Sequence, residues 1–324
     1  MIKIKKNRVY FIGEIGINHN GSVNKAKKYI DLAKKHKIDA IKLQIGSANR
    51  FTTIENLKRF NKRSKVNFSE KEIDNLINYS KKRGIKLFAT PISHDYVKFV
   101  AKKFGLIKIA SGDINFLPTL KLAAQSKKQT IISTGASSLK EIKNIFKIFK
   151  DKKKLILMHC ISSYPTDIKN ANLINIKFLR DMFNINVGYS NHVLGTTACE
   201  IAIALGARII EFHFTDNKKR TFIDHKISLE PKDFDILRKK AKEIILGIGK
   251  KRLKQFKCEK DYKELRKGLI YNKDLLTNHK IKDQDIDFAR PQKDFSYKEV
   301  RRIIGLKLKK DVKKYFSVKK KDFK

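Results

Sequence analysis

The chain has 324 residues, 41% of them hydrophobic, which suffices for a barrel of about 250 residues and one small further domain. The sequence contains no run of about 18 apolar residues and no apolar leader, so we expect a cytoplasmic protein without a membrane partner. Its three cysteines are scattered and form no CxxC pair, so we expect no disulfides. The formal net charge of +43 is spread over nearly every predicted helix and forms no basic arm with interleaved aromatics, which predicts attraction of anionic substrates rather than nucleic-acid binding.

Eight short apolar runs are predicted to be β-strands, and stretches of about 10 to 15 residues between most of them fit helices. The predicted strands cover residues 9–18, 39–45, 85–90, 106–111, 129–134, 154–160, 185–190 and 207–215. Each run ends on polar or small residues. A βα repeat with polar groups at the carboxyl end of every strand is typical of the catalytic face of a (β/α)8 TIM barrel. The sequence therefore predicts an enzyme of the α/β class.

Several helix boundaries in this repeat carry local signals. Ser22 is predicted to cap the first helix, and Ser69 with Glu72 forms a capping box for the next. Pro231 is predicted to open the last helix of the barrel. Residues 46–65 are polar and are predicted to be a long loop.

After the last barrel helix the βα period stops. Short strand-like pieces alternate with polar turns, at residues 268–271, 286–290 and 306–308. We predict a TIM-barrel catalytic domain over residues 1–250, a basic linker over 251–261 and a small β-rich domain over 262–324.

Two histidines end neighbouring predicted strands. His192 follows the seventh strand and His213 lies in the eighth, and these strands are adjacent in a closed barrel. Two imidazoles so placed can share one divalent ion, with water or substrate in the other positions. A lone histidine is more often structural, but the pair favours a metal site. His19, His159 and His225 are interpreted as orienting groups.

Lys42 and Lys108 lie near the ends of otherwise apolar strands, where a charge needs an anionic partner. Hydroxyl groups are expected in the same ring, from Ser111, Ser133, Thr134, Ser162 and Ser190. Lysines within a crown of hydroxyls predict a cradle for phosphate and carboxylate groups. The alternative is that each lysine only extends to the barrel rim.

Four further polar side chains could hold sugar hydroxyls or move protons. They are Glu14, Gln44, Asp113 and Asp224. Glu14 lies inside an apolar strand, which is costly unless the carboxylate is paired or functional. Asp224 follows the last strand and could equally be a solvated loop acid.

Together these segments resemble the sialic acid (N-acetylneuraminate) synthase family, which includes legionaminic and pseudaminic acid synthases. The order and spacing match over the whole barrel. The matching stretches are EIGINHNG (14–21), AIKLQ (40–44), FATP (88–91), KIASGDIN (108–115), STG (133–135), HCISSYP (159–165), GYSNH (188–192), EFHFT (211–215) and DHKISLEP (224–231).

The resemblance implies a transferase that condenses phosphoenolpyruvate with an N-acetylated amino sugar to form a nine-carbon nonulosonic acid and phosphate. It implies that His192 and His213 bind Mn²⁺ or Mg²⁺, and that Glu14 and Asp113 are candidate catalytic carboxylates. The implied phosphoenolpyruvate-binding residues are Lys42, Thr90, Lys108, Ser111, Ser133, Ser162, Tyr164 and Ser190. The implied sugar-binding residues are Gln44, Tyr164, Asp224 and Arg290.

The C-terminal part is similar, more weakly, to the family's antifreeze-protein-like (SAF) cap domain. The similarity lies in ARP (289–291) and IIGLK (303–307). Arg290 matches an arginine that the cap presents to the sugar site of the partner subunit, so the resemblance implies a domain-swapped homodimer.

The chain departs from the family pattern at several positions. Asn191 replaces an Asp beside the metal-binding histidine, and Phe212 replaces a basic residue. The other departures are Ile92-Ser93, Thr221-Phe222-Ile223 and Gln292-Lys293, with Asp113 where many members have Glu. They affect the sugar-facing side more than the phosphate-facing side, so the acceptor stays open between N-acetylmannosamine, a diacetamido hexose and a 6-phosphorylated sugar.

Two other functions stay open at this point. Another phosphoenolpyruvate-dependent aldol synthase would share the phosphate cradle, although Arg290 and the two histidines favour the nine-carbon class. The departures at Asn191, Phe212 and Gln292-Lys293 leave open a catalytically impaired barrel that acts as a binding protein in glycan biosynthesis.

Overall fold

The computed structural model describes residues 1–221, 223–251, 254 and 256–324. The chain divides into two compact units, Met1–Gly249 and Lys250–Lys324. Phe222 and the side chain of Ile223 lie outside the described residues. So do three residues of the predicted linker 251–261, namely Arg252, Leu253 and Gln255.

Within its described residues, the first unit is a closed barrel of eight parallel strands. They are β1 (Tyr10–Gly16), β2 (Ala40–Ile45), β3 (Lys86–Pro91), β4 (Leu106–Ile109), β5 (Gln129–Ser133), β6 (Leu155–His159), β7 (Val187–Asn191) and β8 (Ile209–His213). Each strand pairs with its neighbours in the chain, and β8 pairs with β1. The predicted (β/α)8 barrel is confirmed.

Alternation along the strands places polar groups at one end of the barrel interior. On β2, Ala40, Lys42 and Gln44 lie on the inner face, whereas the residues between them pack under the helices. On β8, Ile209 is followed on the inner face by Glu211 and His213. Because side chains alternate with a period of two, an apolar layer fills the amino-terminal half and a polar layer lines the carboxyl-terminal mouth.

The helices surround this barrel. They are α1 (Val23–His36), α2 (Ala48–Phe51), α3 (Leu57–Val66), α4 (Glu70–Arg83), α5 (Val97–Phe104), α6 (Leu117–Gln125), α7 (Leu139–Ile148), α8 (Asn175–Phe183), α9 (Thr197–Ala204), α10 (Ile223–Ile227) and α11 (Pro231–Ile248). The predicted caps are confirmed: Ser22 accepts from the Lys25 amide, and Ser69 forms a capping box with Glu72. Each such cap is worth about 0.5–2 kcal/mol.

The prediction of a long loop over residues 46–65 is wrong, because α2 and α3 occupy most of it. Asn56 caps α3 by accepting from the Arg59 amide at 3.2 Å. The helix buries Arg63 and Val66 rather than an apolar stripe. The sequence of α3 lacks the apolar stripe that would have predicted a helix, and tertiary contacts stabilise this helix instead.

The amino terminus closes the other end of the barrel. Ile2 is buried with the apolar residues of the interior. Its amide donates to Gln129 Oε1 at 2.5 Å, and Gln129 Nε2 donates back to the Ile2 carbonyl at 3.3 Å. The mouth opposite is consequently the one that can admit a ligand.

The second unit contains an antiparallel pair, β9 (Gly268–Tyr271) and β10 (Ile286–Ala289), and one short helix, α12 (Val300–Ile303), among its described residues. The predicted strand at 306–308 is wrong, since Lys307 and Leu308 form only isolated bridges. Tyr271 is fully buried in this unit and its hydroxyl donates to Asp322 at 3.1 Å. No helix in the described part of either unit is long and apolar enough to cross a membrane.

Candidate active site

The carboxyl ends of the strands surround a cavity of about 640 Å³. Its lining includes most of the predicted site residues, namely Glu14, Lys42, Gln44, Thr90, Lys108, Ser111, Asp113, Ser133, Tyr164, Ser190, His192, His213 and Asp224. Arg290 lies in the second unit and is exposed. The strands and the segments that follow them thus bring together side chains separated by up to 210 residues along the chain, from Glu14 to Asp224.

Lys42 is held between two buried carboxylates. Its Nζ lies 2.5 Å from Glu14 Oε2 and 3.3 Å from Glu211 Oε1, and it donates to Thr90 Oγ1 at 3.1 Å. Burial alone would lower the pKa of Lys42, but the two carboxylates outweigh it and raise that pKa. Lys42 therefore stays charged at a fixed position. The prediction that it needs an anionic partner is confirmed.

Lys108 is equally buried but forms no direct ion pair among the described residues. Its Nζ donates to Ser133 Oγ at 2.5 Å and to the Ile109 carbonyl at 3.0 Å. Burial lowers the pKa of Lys108, although Glu211 opposes the shift. A buried ammonium surrounded by neutral acceptors suits an anionic ligand.

Small polar side chains crowd around Gly135. A Cβ built there would collide with Ser162 Oγ and lie 2.8 Å from Ser111 Oγ and 2.9 Å from Cys160 Sγ. Ser111 Oγ and Cys160 Sγ are 3.2 Å apart. The absence of a side chain at Gly135 lets these groups converge beside the cavity. This arrangement brings Ser162, which does not line the cavity itself, next to Ser111.

Three sugar-facing candidates meet above β1. A Cβ on Gly16 would lie 3.0 Å from Glu14 Oε1, 3.1 Å from Asp224 Oδ2 and 3.3 Å from Gln44 Nε2. Gln44 Nε2 donates to Glu14 Oε1 at 3.0 Å. Gly16 has φ of +44°, a left-handed conformation that favours glycine. Asp224 is thus drawn into the cavity rather than left as a solvated loop acid.

The imidazoles of His192 and His213 face each other, with ring centroids 5.7 Å apart. His192 Nδ1 donates to the Ile161 carbonyl at 2.6 Å, which leaves the Nε2 lone pair available. Burial, and then the neighbouring His213, lowers the pKa of His192 to about 4, so its ring is neutral near pH 7. His213 Nδ1 is buried without a hydrogen-bond partner among the described residues and lies 3.9 Å from Asp224 Oδ2.

These donors fit one divalent cation that takes its other ligands from water or substrate. No group of three or more His, Cys, Asp or Glu side chains arranged to hold a metal occurs in the part of the chain that the structure describes. The two imidazoles, one with a buried nitrogen that has no hydrogen-bond partner among the described residues, remain a coherent donor pair.

Tyr164 and Asp113 complete the predicted set. The centroid of the Tyr164 ring lies 4.1 Å from that of His192 and 6.1 Å from that of His213, which it meets edge-on. Asp113 follows β4 in a short 3-10 helix, and burial raises the pKa of its carboxyl. Of the three histidines interpreted as orienting groups, His159 contacts the Ala171 carbonyl and His225 contacts Thr215. His19 Nδ1 accepts from the Gly21 amide, while its buried Nε2 has no hydrogen-bond partner among the described residues.

Glu211 is a cavity residue to which the sequence analysis assigned no role. It accepts from Ser190 Oγ at 3.2 Å and pairs with Lys42. Burial would raise the pKa of Glu211, but Lys42 and Lys108 lower it to about 2. The sequence feature that could have indicated its role is a carboxylate inside an apolar strand, two residues before His213. We call Glu14, Lys42, Lys108, Ser133 and Glu211 the strand set.

A second group lines the cavity from α2 and α3, and sequence reasoning missed it. We call Arg50, Phe51, Arg59, Lys62 and Arg63 the helix set. Arg63 is 4% exposed and its Nη2 donates to the Gln44 carbonyl at 2.8 Å. The sequence feature that could have indicated this set is the spacing of residues 59, 62 and 63, which places three cations on one face of a helix.

The two departures nearest the metal candidates do not alter the cavity. Asn191 is buried, and its amide closes a turn by bonding to both backbone groups of Val193. Phe212 faces the helix layer, where it stacks on Phe234 with ring centroids 5.3 Å apart. Neither side chain lines the cavity. Both departures therefore leave the imidazole pair in place.

The chain is similar to several known proteins. A model described as the NeuB family matches residues 29–252. An uncharacterized protein of Methanocaldococcus jannaschii is 35% identical over 93% of this chain and 90% of its own length. N,N'-diacetyllegionaminic acid synthase of Campylobacter jejuni is 31% identical over 92% and 95%, respectively. The crystal structure of an N-acetylneuraminic acid (sialic acid) synthetase of Leptospira borgpetersenii superposes with a TM-score of 0.77 at 36% identity, covering 82% of this chain and 94% of that one.

Proposed function

Because the chain belongs to the NeuB family, we propose that it condenses phosphoenolpyruvate with an N-acetylated amino sugar to a nine-carbon nonulosonic acid, releasing phosphate. One observation carries this proposal: a single cavity holds two buried lysines among hydroxyls and a pair of imidazoles. The lysines and hydroxyls suit a phosphate and a carboxylate, and the imidazoles suit a cation beside an aldehyde.

We assign phosphoenolpyruvate to Lys42, Lys108 and the surrounding hydroxyls. Those hydroxyls are on Thr90, Ser111, Ser133, Ser162, Tyr164 and Ser190. Lys108 gives the main support for this assignment. The hydrogen bonds that its buried ammonium donates to described residues go to neutral acceptors, so an anionic substrate would supply the missing counter-charge. Both lysines project from strands, so they would fix the substrate in one orientation as well as offset its charge.

His192 and His213 would hold a divalent cation, Mn²⁺ or Mg²⁺, which when bound supplies Lewis-acid activation of the sugar's aldehyde oxygen. Gln44, Tyr164 and Asp224 would orient the hydroxyls of the open-chain sugar. Their proximity to Glu14 and the imidazoles supports this assignment.

The enol carbon of phosphoenolpyruvate attacks the aldehyde carbon, and the new C–C bond forms there. Water adds to the phosphate-bearing carbon, and collapse of the resulting tetrahedral centre breaks its bond to the bridging oxygen and releases phosphate. Glu14 and Asp113 are the candidate proton carriers. Glu14 contacts Lys42, whereas burial raises the pKa of Asp113 and so favours its protonated form.

The test is product identification. The purified protein is incubated with phosphoenolpyruvate, Mn²⁺ and either N-acetylmannosamine or a diacetamido hexose, and the products are read by mass spectrometry with phosphate release. We expect one nonulosonic acid per phosphate. A shorter sugar acid from another aldehyde would instead identify a different aldol synthase, and absence of turnover with bound substrates would identify a binding protein.

The metal assignment has its own test. Chelation should abolish turnover, added Mn²⁺ or Mg²⁺ should restore it, and His213→Ala should raise the metal concentration needed. His36→Ala is the matched control, because that imidazole pairs with Asp235 outside the cavity. Wild-type turnover after complete chelation would contradict the assignment.

For the second unit we propose the role of an antifreeze-protein-like cap that places Arg290 in the sugar site of a partner subunit. The exposure of Arg290 supports the proposal. Mixing an Arg290→Ala chain with a His213→Ala chain should restore activity through mixed dimers. Failure of this complementation in a preparation of proven mixed dimers would contradict it.

A further inference from the structure

Helix α3 presents a basic face to the cavity. Its ten residues include Lys58, Arg59, Lys62, Arg63 and Lys65 and no acidic side chain. Only the members at positions 59, 62 and 63 line the cavity. Residues three and four apart stand next to one another on a helix, where like charges repel. An anion on this face would relieve that repulsion.

Arginine is the less common cation of this chain, but three arginines line the cavity from α2 and α3. Arginines number 14 of the 75 basic residues, yet Arg50, Arg59 and Arg63 all line this one cavity. The Phe51 ring supports two of them, with the guanidinium carbons of Arg59 and Arg63 4.6 Å and 5.6 Å from its centroid. A planar guanidinium with several donors in a fixed fork suits phosphate groups better than a lysine does.

Arg63 provides an independent sign of a ligand. Its side chain is more than nine-tenths buried, yet its Nε has no hydrogen-bond partner in the part of the chain that the structure describes. The same guanidinium reaches Gln44 at the end of β2. A buried donor left unpaired is costly, so an acceptor from a ligand is expected at this position.

The helix set lies on the sugar-facing side of the cavity. Arg63 contacts Gln44, which in turn contacts Glu14 on β1. The lysine and hydroxyl cradle of Lys108, Ser133 and the Gly135 cluster belongs to β4, β5 and β6, which follow later around the barrel. The helix set therefore contacts the sugar-facing side of the cavity, away from Lys108 and the Gly135 cluster, while Lys42 and Thr90 of the proposed phosphoenolpyruvate site lie on the neighbouring β2 and β3.

We infer that the acceptor sugar carries a phosphate monoester at the end remote from its aldehyde, and that Arg59 and Arg63 bind this phosphate. The inference rests on the proposed function and names the charge class of its second substrate. A dianion would accept from Arg59 and from the buried Arg63 Nε, which has no hydrogen-bond partner among the described residues, whereas a neutral sugar offers these guanidinium groups no charged acceptor.

Calorimetric binding tests this without requiring turnover. The full-length protein with phosphoenolpyruvate is titrated with N-acetylmannosaminitol and with its 6-phosphate, two unreactive open-chain analogues. We expect the 6-phosphate to bind about 10- to 100-fold more tightly. Arg59→Gln should remove most of this preference, whereas Lys58→Gln, an exposed residue of the same helix outside the cavity, should retain it. Arg59 is exposed, so unchanged thermal unfolding will show that the variant folds.

Equal affinity for the two alcohols, or a preference that Arg59→Gln leaves intact, would overturn the inference. A loss of affinity for phosphoenolpyruvate or inorganic phosphate in Arg59→Gln, with acceptor affinity unchanged, would assign the helix set to those anions and overturn it as well. If neither the neutral nor the phosphorylated hexosamine is turned over, the proposed function fails, while the calorimetric preference still decides the anion site.

Discussion

The strand set and the helix set line the same cavity but differ in how their charges are balanced. In the strand set, Lys42 lies between Glu14 and Glu211, so the buried charges largely neutralise one another. In the helix set, Arg59 and Arg63 stand beside each other on an aromatic ring. The strand set is thus organised before any ligand binds, whereas the helix set keeps one buried donor, Arg63 Nε, without a partner among the described residues. We therefore propose that the strands position the substrates and that the helices select the acceptor.

The largest effect should come from the strand set. Lys42→Met would leave two buried carboxylates without their shared cation, which costs about 3–5 kcal/mol of folding stability. We expect kcat to fall by about 10²–10³-fold as well. Lys81→Met, an exposed lysine of α4, is the control. If Lys42→Met unfolds at the wild-type temperature, the ion-pair network does not organise this site.

The next effect concerns the hydroxyl cluster around Gly135. Gly135→Ala would push apart Ser111, Cys160 and Ser162, because the new Cβ overlaps all three. The KM for phosphoenolpyruvate should rise by about 10²-fold, as a misplacement of about 1 Å can cause, while the KM for the acceptor changes little. Gly247→Ala is the matched control, since nothing lies within 4 Å of its added Cβ. An equal rise in both KM values would contradict the assignment of the Gly135 cluster to phosphoenolpyruvate alone.

A substitution in the helix set should give the opposite pattern. Arg63→Met keeps the buried stem and removes the guanidinium, so we expect the acceptor KM to rise about 10-fold through loss of a charged hydrogen bond. The KM for phosphoenolpyruvate should stay within the error of the wild type. A selective effect on phosphoenolpyruvate would reverse the assignment of the two sets.

The smallest effect is on acid stability. The pKa of Glu211 is about 2 in the folded protein, below the value of about 4.3 expected in the unfolded chain. Its contribution to stability is therefore complete above the unfolded value and is lost as the pH falls from about 4.3 toward 2. Glu211→Gln should lose less stability than wild type over this window in urea unfolding experiments. Identical pH slopes would show that Glu211 is not held by Lys42.

The strand set could largely be predicted from the sequence, and the helix set could not. Period-two alternation puts Lys42 and Gln44 on one face of a strand, and closure of the barrel brings all strand ends to one mouth. An apolar stripe is what reveals a helix in a sequence, but α3 buries Arg63 and Val66 and leaves Leu57 exposed. Its position depends on contacts with Gln44 and Phe51, which no local pattern encodes.

The most direct test follows the bridging oxygen of phosphoenolpyruvate. Phosphoenolpyruvate labelled with ¹⁸O at that position is turned over with the amino sugar, and the ¹⁸O content of the released phosphate is measured by mass spectrometry. C–O bond cleavage predicts that the phosphate carries the label and that none is released when the sugar is omitted. Unlabelled phosphate, or release that does not depend on the sugar, would contradict a condensation at this cavity.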